Sequence, residues 1–121
     1  MVSMSRRPAR IKIVNLEAGM PTVEQARLRL DFELKRARDE GFAAVKVIHG
    51  YGSRGVGGAL RTAVQAKLRA ASERGDVRAV IYGEDWRVSD EQSWPLLQKF
   101  PEWKDDSDLG RGNRGITLVM F

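Results

Sequence analysis

The stretch that decides the fold of this chain is VKVIHGYGSRGVGGALRTAV, residues 45–64. Residues 45–48 form a short apolar run that predicts a buried strand, and the single histidine of the chain, His49, follows it directly. A glycine-rich turn comes next, and residues 59–69 have the pattern of a helix. Glycines let a ligand approach the backbone, and the first N–H groups of a helix are unpaired and partly positive. The stretch therefore predicts a place that can hold a phosphate.

Two interpretations of this turn stay open. It is neither a GxGxxG fingerprint nor a Walker loop, because no Gly-Lys-Ser/Thr ends it, so a plain connection fits the spacing as well as a phosphate site does. Arg54 and Arg61 favour the phosphate site because they add full positive charge. His49 is either a structural residue or a donor to a phosphate oxygen. The residues of this stretch that are predicted to contact phosphates are Lys46, Gly50, Tyr51, Gly52, Arg54, Gly58 and Arg61.

Composition limits the classes of protein. A length of 121 residues, of which 42% are hydrophobic, fits one domain with one core. No apolar run is long enough to span a membrane, and the basic N-terminus has no apolar stretch behind it. The absence of cysteine excludes disulfides and predicts a cytoplasmic location. With one histidine, a zinc site is not expected, whereas Mg²⁺ bound by carboxylates stays open as a cofactor.

The charge balance favours a polyanionic partner. Lys and Arg together number 21 against 16 Asp and Glu, which gives a net charge of +5. Arginine predominates, and guanidinium groups bind phosphate in a bidentate manner. Small basic domains of this kind are typical of proteins that bind DNA or RNA. Because an arginine-rich composition can also follow from the base composition of a genome, the charge alone does not decide the function.

The predicted elements alternate between strands and helices. Thr22 is a suitable N-cap for the first helix, and Gly41 is a suitable residue after its end. Strands are predicted at residues 11–16, 44–48, 77–82 and 115–121, and helices at residues 23–40 and 58–73. Alternation implies parallel pairing and right-handed crossovers. The predicted fold class is α/β: a two-layer sandwich, βαβαβ plus a final strand, with a four-stranded mixed sheet and two main helices on one face.

The chain is predicted to consist of a tail and one domain that carries an insert. Residues 1–10 are expected to form a flexible basic tail, and residues 11–121 a single domain. The aromatic-rich insert, at about residues 84–114, contains a predicted short helix at residues 93–100. We favour packing of its tryptophans over the open face of the sheet, because tryptophans are mostly buried. A stacking platform for unpaired bases is the alternative.

The end of the insert brings acidic and basic residues together. Asp105, Asp106 and Asp108 are predicted to be solvated surface. Arg111 and Arg114 lie in the GRGNRG turn that leads into the last strand, and both are predicted to contact phosphates. A loose hairpin without a ligand is the alternative for this turn.

The run IHGYGSRGVGGALRTAV resembles the signature of the Smr domain, the small MutS-related domain. That signature is a strand ending in His-Gly-x-Gly, followed by Gly-x-Leu-Arg at the start of a helix, which matches residues 49–52 and 58–61. The first helix start and the last strand are also similar, so the resemblance covers about residues 11–121. It implies a two-layer α/β domain that resembles the C-terminal domain of a bacterial translation initiation factor. It also implies nucleic-acid binding, with endonuclease activity in some members.

The chain departs from the family pattern at the first strand. The family usually has Leu-Asp-Leu-His-Gly or a variant there, and its acid and base are linked to cleavage. Asn15 and Glu17 stand at these positions here. An amide cannot act as a general base, whereas the Glu17 carboxylate could take a proton or hold Mg²⁺. The resemblance therefore leaves the cleavage machinery in doubt.

Three hypotheses about function follow. The first is an Smr-like domain that binds DNA or RNA through the phosphates, in DNA repair or recombination or in RNA processing. The second is an Smr-type endonuclease that nicks DNA or cleaves RNA, with His49 and Glu17 as the catalytic residues. The third is a protein-interaction module whose basic surface is incidental. No residues are assigned as metal ligands, although Mg²⁺ stays open as a cofactor; no membrane contact is predicted, and the sequence leaves the oligomeric state open.

Overall fold

The computed structural model describes residues 10–51 and 57–121, in which strands and helices alternate before a last strand returns. The strands are β1 (Ile11–Asn15), β2 (Ala44–Ile48), β3 (Ala79–Tyr82) and β4 (Ile116–Met120). The helices are α1 (Val23–Asp39), α2 (Gly57–Glu73) and α3 (Ser93–Lys99), with short 3-10 turns at Gly83–Asp85 and Pro101–Asp105. The predicted short helix in the insert is thus confirmed as α3.

The four strands form one mixed sheet in the order β1-β2-β4-β3. β1 runs parallel to β2, and β4 runs antiparallel to both β2 and β3. The predicted α/β class with a four-stranded mixed sheet is confirmed. The predicted parallel pairing of successive strands is found only for β1 and β2. β2 and β3 do not pair with each other, because β4 lies between them.

α1 begins and ends where its sequence signals lie. The Thr22 hydroxyl accepts a hydrogen bond from the Gln25 amide at 3.1 Å, and the Gln25 side chain accepts one from the Thr22 amide at 2.9 Å. This capping box satisfies two N–H groups that the helix leaves unpaired. Gly41 follows the helix with a φ of +84°, a backbone conformation that glycine adopts without strain. The capping box places the start of α1 directly after the turn that leaves β1.

The first core lies between the sheet and the two long helices. Val45 and Val47 of β2 and Val119 of β4 face this side and are completely buried. Leu30 of α1 and Leu68 of α2 pack against them and are also completely buried. The two helices therefore cover the same face, as the sequence predicts.

The insert forms a second core on the opposite face of the sheet. Ile81 and Leu118 of that face pack against Trp86, Leu97 and Trp103. Trp86 and Trp103 are 0% and 3% exposed, and their rings meet edge to face at 6.4 Å. The packing interpretation of the insert is confirmed for these two tryptophans. The sheet consequently has a layer on each side.

Two further predictions concern the N-terminal tail and helices that could cross a membrane. The predicted tail lies outside the described residues except for its last residue, Arg10. Within residues 10–51 and 57–121, no helix has both the length and the apolar character needed to cross a lipid bilayer.

Candidate nucleic-acid interface

The predicted site residues converge on one edge of the sheet. The carboxyl ends of β1, β2 and β3 lie there together with the start of β4, because β4 runs antiparallel to its neighbours. α1 and α2 are the next elements in the chain after β1 and β2. We call this region the carboxyl edge; it comprises residues 16–22, 49–51, 57–61, 83–86 and 110–115. Gly52 and Arg54 lie outside the described residues, so their predicted contacts remain predictions.

The turn after β2 is fixed to the turn before β4. The amides of His49 and Gly50 both donate to the Gly115 carbonyl oxygen, at 2.9 and 3.0 Å. Gly50 has a φ of +71°, and a Cβ at this position would overlap the Glu17 carboxylate. The positive φ therefore favours glycine at this position, whereas the exposed Glu17 side chain can move to relieve the overlap.

His49 is a buried structural residue at this edge. Its side chain faces α2 and is completely buried. Nδ1 lies 2.5 Å from the Gly50 carbonyl oxygen and therefore donates to it, because a carbonyl oxygen only accepts. Nε2 lies 2.9 Å from the Thr117 hydroxyl oxygen and accepts from that hydroxyl, and the Thr117 oxygen in turn accepts a hydrogen bond from Gln65. Both ring nitrogens are engaged within the protein, which favours the structural interpretation of His49 over the interpretation as a donor to a phosphate.

The environment of His49 favours the neutral imidazole. Burial lowers the pKa of His49 below its ordinary value, and the nearby Arg61 guanidinium lowers it further. The hydrogen bond to Gly50 and the charges of Glu17 and Glu84 oppose this effect without reversing it. A neutral ring with a proton on Nδ1 matches its two hydrogen-bond partners.

Lys46 is buried beneath the insert, on the opposite face from His49. Its side chain is 3% exposed, and Nζ lies 2.8 Å from Asp106 and 2.7 Å from Asp108. Burial disfavours the ammonium, but the hydrogen bonds that Lys46 donates to both carboxylates more than compensate and raise the pKa of Lys46. Trp86 donates to Asp106 through Nε1 at 3.0 Å. Lys46 therefore anchors the insert and is not available to a phosphate on the surface.

The expectation of a solvated acidic cluster was wrong for two of its three members. The side chains of Asp106 and Asp108 are only 12% and 22% exposed and are paired with Lys46, whereas Asp105 is exposed. Sequence analysis missed this ion cluster although a signal was present. A lysine within an apolar strand needs buried partners, and the acidic residues of the insert can supply them.

The exposed cations of the carboxyl edge lie in the GRGNRG turn. Arg111 and Arg114 are exposed, and neither forms an ion pair with another described residue. Arg61, at the start of α2, is half-buried and pairs with Glu84 at 3.0 Å. Tyr51 presents 56% of its surface to solvent. Two guanidinium groups without an ion-pair partner among the described residues, and one aromatic ring, thus lie at the surface of this edge.

Asn15 and Glu17 shape the turn after β1. The Asn15 side-chain oxygen accepts hydrogen bonds from the amides of Glu17 and Ala18, at 2.9 and 3.2 Å. The Glu17 carboxylate is exposed and forms no hydrogen bond or ion pair with another described residue. No group of three His, Cys, Asp or Glu side chains that could hold a metal ion occurs among residues 10–51 and 57–121. Mg²⁺ at Glu17 would therefore take its other ligands from water and phosphate.

A cleft opens at the carboxyl edge between the turn after β2 and the turn before β4. Its volume is about 540 Å³. We call it the edge cleft, and it is lined by Glu17, Ile48, Gly50, Tyr51, Asp108, Asn113, Gly115 and Ile116. Arg111 and Arg114 are not among the lining residues but lie in the turn that supplies Asn113 and Gly115 to the lining.

The chain is similar to known proteins both in sequence and in structure. The model of the Smr domain family matches residues 18–85. The crystal structure of the Smr domain of Thermus thermophilus MutS2 is similar to this chain, with 25% sequence identity and a TM-score of 0.54. The similarity covers 90% of this chain and 95% of that domain. Among curated proteins, no match was found.

Proposed function

The chain belongs to the Smr domain family, and from this premise we propose that it binds nucleic acid through the phosphates at its carboxyl edge. The observation that carries the proposal is the convergence of distant segments on one edge with two arginines that form no ion pair with another described residue. Arg111 and Arg114 come from the end of the insert, and Tyr51 comes from the turn after β2. The start of α2 lies at the same edge.

In this proposal, backbone and side chains share the binding of the phosphates. The first N–H groups of α2 carry partial positive charge, which favours an anion near Gly58. Arg111 and Arg114 add the full charges, and their guanidinium groups suit bidentate contacts with phosphate oxygens. Arg61 contributes less, because Glu84 neutralises part of its charge.

We propose binding without robust cleavage. A general base must reach the proton that it removes, and His49 is buried with both ring nitrogens engaged. Asn15, at the position linked to the acid, accepts two backbone hydrogen bonds instead. Glu17 is the one exposed carboxylate beside the turn after β2, and it lacks an accessible imidazole partner among the described residues.

Salt dependence of binding tests the proposal. Fluorescence anisotropy with labelled single-stranded, duplex and branched DNA and RNA would give Kd across a series of salt concentrations. We expect log Kd to rise with log salt by about 0.7–0.9 for each neutralised phosphate. Affinity that does not change with salt would contradict phosphate binding.

Arginine variants locate the binding surface. We expect Arg111→Gln and Arg114→Gln each to weaken binding about tenfold, because each removes a charge-assisted contact. Arg78→Gln is the matched control, since Arg78 is exposed and lies before β3 at the opposite edge of the sheet. Equal losses from all three variants would indicate a diffuse basic surface instead of a site.

A further inference from the structure

The lining of the edge cleft does not suit a phosphate. Ile48, Ile116 and the ring of Tyr51 supply apolar surface, and Glu17 supplies a negative charge. A carboxylate repels a phosphate, whereas it accepts hydrogen bonds from N–H groups. The cleft therefore suits a neutral, partly apolar ligand that carries donors.

Two other polar side chains of the cleft are already engaged. Asp108 contacts Lys46 through Oδ2 at 2.7 Å and accepts from Asn113 through Oδ1 at 3.0 Å. Asn113 accepts from the Gly115 amide at 2.8 Å through its own oxygen. Glu17 is consequently the acceptor that stays free for a ligand among the described residues.

Size and exposure favour a single nucleobase. A volume of about 540 Å³ lies within the range of about 300–1,000 Å³ typical of small-molecule sites. Tyr51 is 56% exposed at the rim, and proteins commonly stack unpaired bases on such rings. The edge cleft also borders the turn that carries Arg111 and Arg114, so a base could enter it while its own strand contacts the arginines.

The bases differ in what they offer to a carboxylate. The Watson–Crick edge of guanine carries two adjacent donors, N1–H and N2–H, which match the two oxygens of Glu17. Thymine and uracil present one donor between two carbonyl oxygens, which the carboxylate repels. Adenine and cytosine present one amino donor beside an acceptor nitrogen. Guanine is therefore the base that the free carboxylate fits best.

We propose that the edge cleft receives one unpaired guanine base, which donates to Glu17 and stacks on Tyr51. This inference rests on the proposed phosphate binding, since the strand must already lie along the carboxyl edge. Guanine in a duplex uses the same donors for pairing, so the cleft selects single-stranded or unpaired nucleic acid.

The test compares an all-thymine single strand with the same strand carrying one central guanine. We expect wild-type protein to bind the guanine strand at least about tenfold more tightly, as for a bidentate base contact. Replacing the guanine with inosine, which lacks the N2 amino group, should remove part of this preference. Glu17→Gln should remove most of it, while the exposed acid variant Asp105→Asn serves as the control and should keep it.

The role of Tyr51 is tested with the ratio of the affinity for the strand with one guanine to the affinity for the all-thymine strand. Tyr51→Phe should retain the guanine preference, because the ring still stacks, and Tyr51→Ala should reduce it. The ratio separates base recognition from folding, since a general loss of structure weakens both strands alike.

The outcomes distinguish the two proposals. Salt-dependent binding of both strands with a ratio near one, or a ratio that Glu17→Gln leaves unchanged, would overturn guanine recognition and leave phosphate binding intact. Equal affinity for a duplex with the guanine paired would also overturn it. If the all-thymine strand shows no salt-dependent binding, the proposed function fails first, and the guanine inference fails with it.

Discussion

Replacing Lys46 with methionine should destabilise the protein strongly. Methionine keeps the length and apolar stem of lysine but removes the ammonium, which lies within 2.8 Å of Asp106 and 2.7 Å of Asp108. The variant therefore leaves two carboxylates close together beneath the insert with no cation between them. Both like-charge repulsion and the cost of burying unpaired charge oppose folding.

The expected loss is about 3 kcal/mol of unfolding free energy. Removing one partner of a buried ion pair typically costs about 3–5 kcal/mol. We choose the lower end because Asp106 and Asp108 are 12% and 22% exposed and keep hydrogen bonds from Trp86 and Asn113. A domain of this kind has a total stability of about 5–15 kcal/mol, so the loss is a large part of the whole.

Urea unfolding followed by tryptophan fluorescence measures this loss. Trp86 and Trp103 are buried in the second core and report its opening. With a slope of about 1–3 kcal/mol/M, a loss of about 3 kcal/mol lowers the midpoint by about 1–3 M. Lys12→Met is the matched control, since Lys12 is also a strand lysine and pairs with the exposed Glu40 at 2.7 Å. Such a surface pair is worth about 0–1 kcal/mol.

Two results would refute this reasoning. The first is a loss for Lys46→Met no greater than that for Lys12→Met. The second concerns pH: the deficit of Lys46→Met relative to wild type should shrink in acid, because protonation removes the unpaired negative charges of Asp106 and Asp108. A deficit that grows as the pH falls would show that the two carboxylates are not the source of the loss.

Three further predictions follow from the carboxyl edge. Because burial lowers the pKa of His49 below 6.5, the unfolded chain takes up the proton first as the pH falls. The stability that neutral His49 contributes is thus present above that value and lost below it, by at most about 1.4 kcal/mol between about pH 7.5 and 5.5. Denaturant titrations should show this loss in wild type but not in His49→Asn, and parallel curves would contradict it. Gly83→Ala should lower stability by about 1–3 kcal/mol, because its Cβ would overlap the Asn113 carbonyl oxygen; an unchanged melting temperature would argue against this contact. Purified wild-type protein should neither nick plasmid DNA nor cleave RNA at appreciable rates with or without Mg²⁺, and robust turnover that His49→Asn abolishes would contradict binding without cleavage.

Local patterns predicted the elements closely where the pattern is strong. β2 has the predicted bounds, and α1 differs by a single residue at its end, because its capping box and terminal glycine are local signals. β3 begins two residues later than predicted. Val77 is apolar because it packs in the first core and not because it belongs to the ladder. The apolar pattern of the sequence does not distinguish a residue that packs in the core next to a strand from a residue that belongs to the strand.

Local sequence patterns did not predict the contacts between residues that are far apart in the chain. Nothing in the run of β4 indicates that it lies between β2 and β3. The partner of His49 is Thr117, which is 68 residues away, so the burial of the imidazole depends on that same strand order. The residue types of the carboxyl edge were predicted from the glycine turn, whereas their accessibility depends on how the insert and β4 pack.

The position of β4 between β2 and β3 has a consequence during synthesis, because β4 is made after the two strands that it joins. Residues 116–120 leave the ribosome after the other three strands of this sheet, yet they form the ladder that joins β2 to β3. Until then, β2 and β3 each have an unpaired edge that can join another chain. A nascent chain that stalls before Ile116 would expose both edges and the apolar surface between them, so it would depend on chaperones or aggregate.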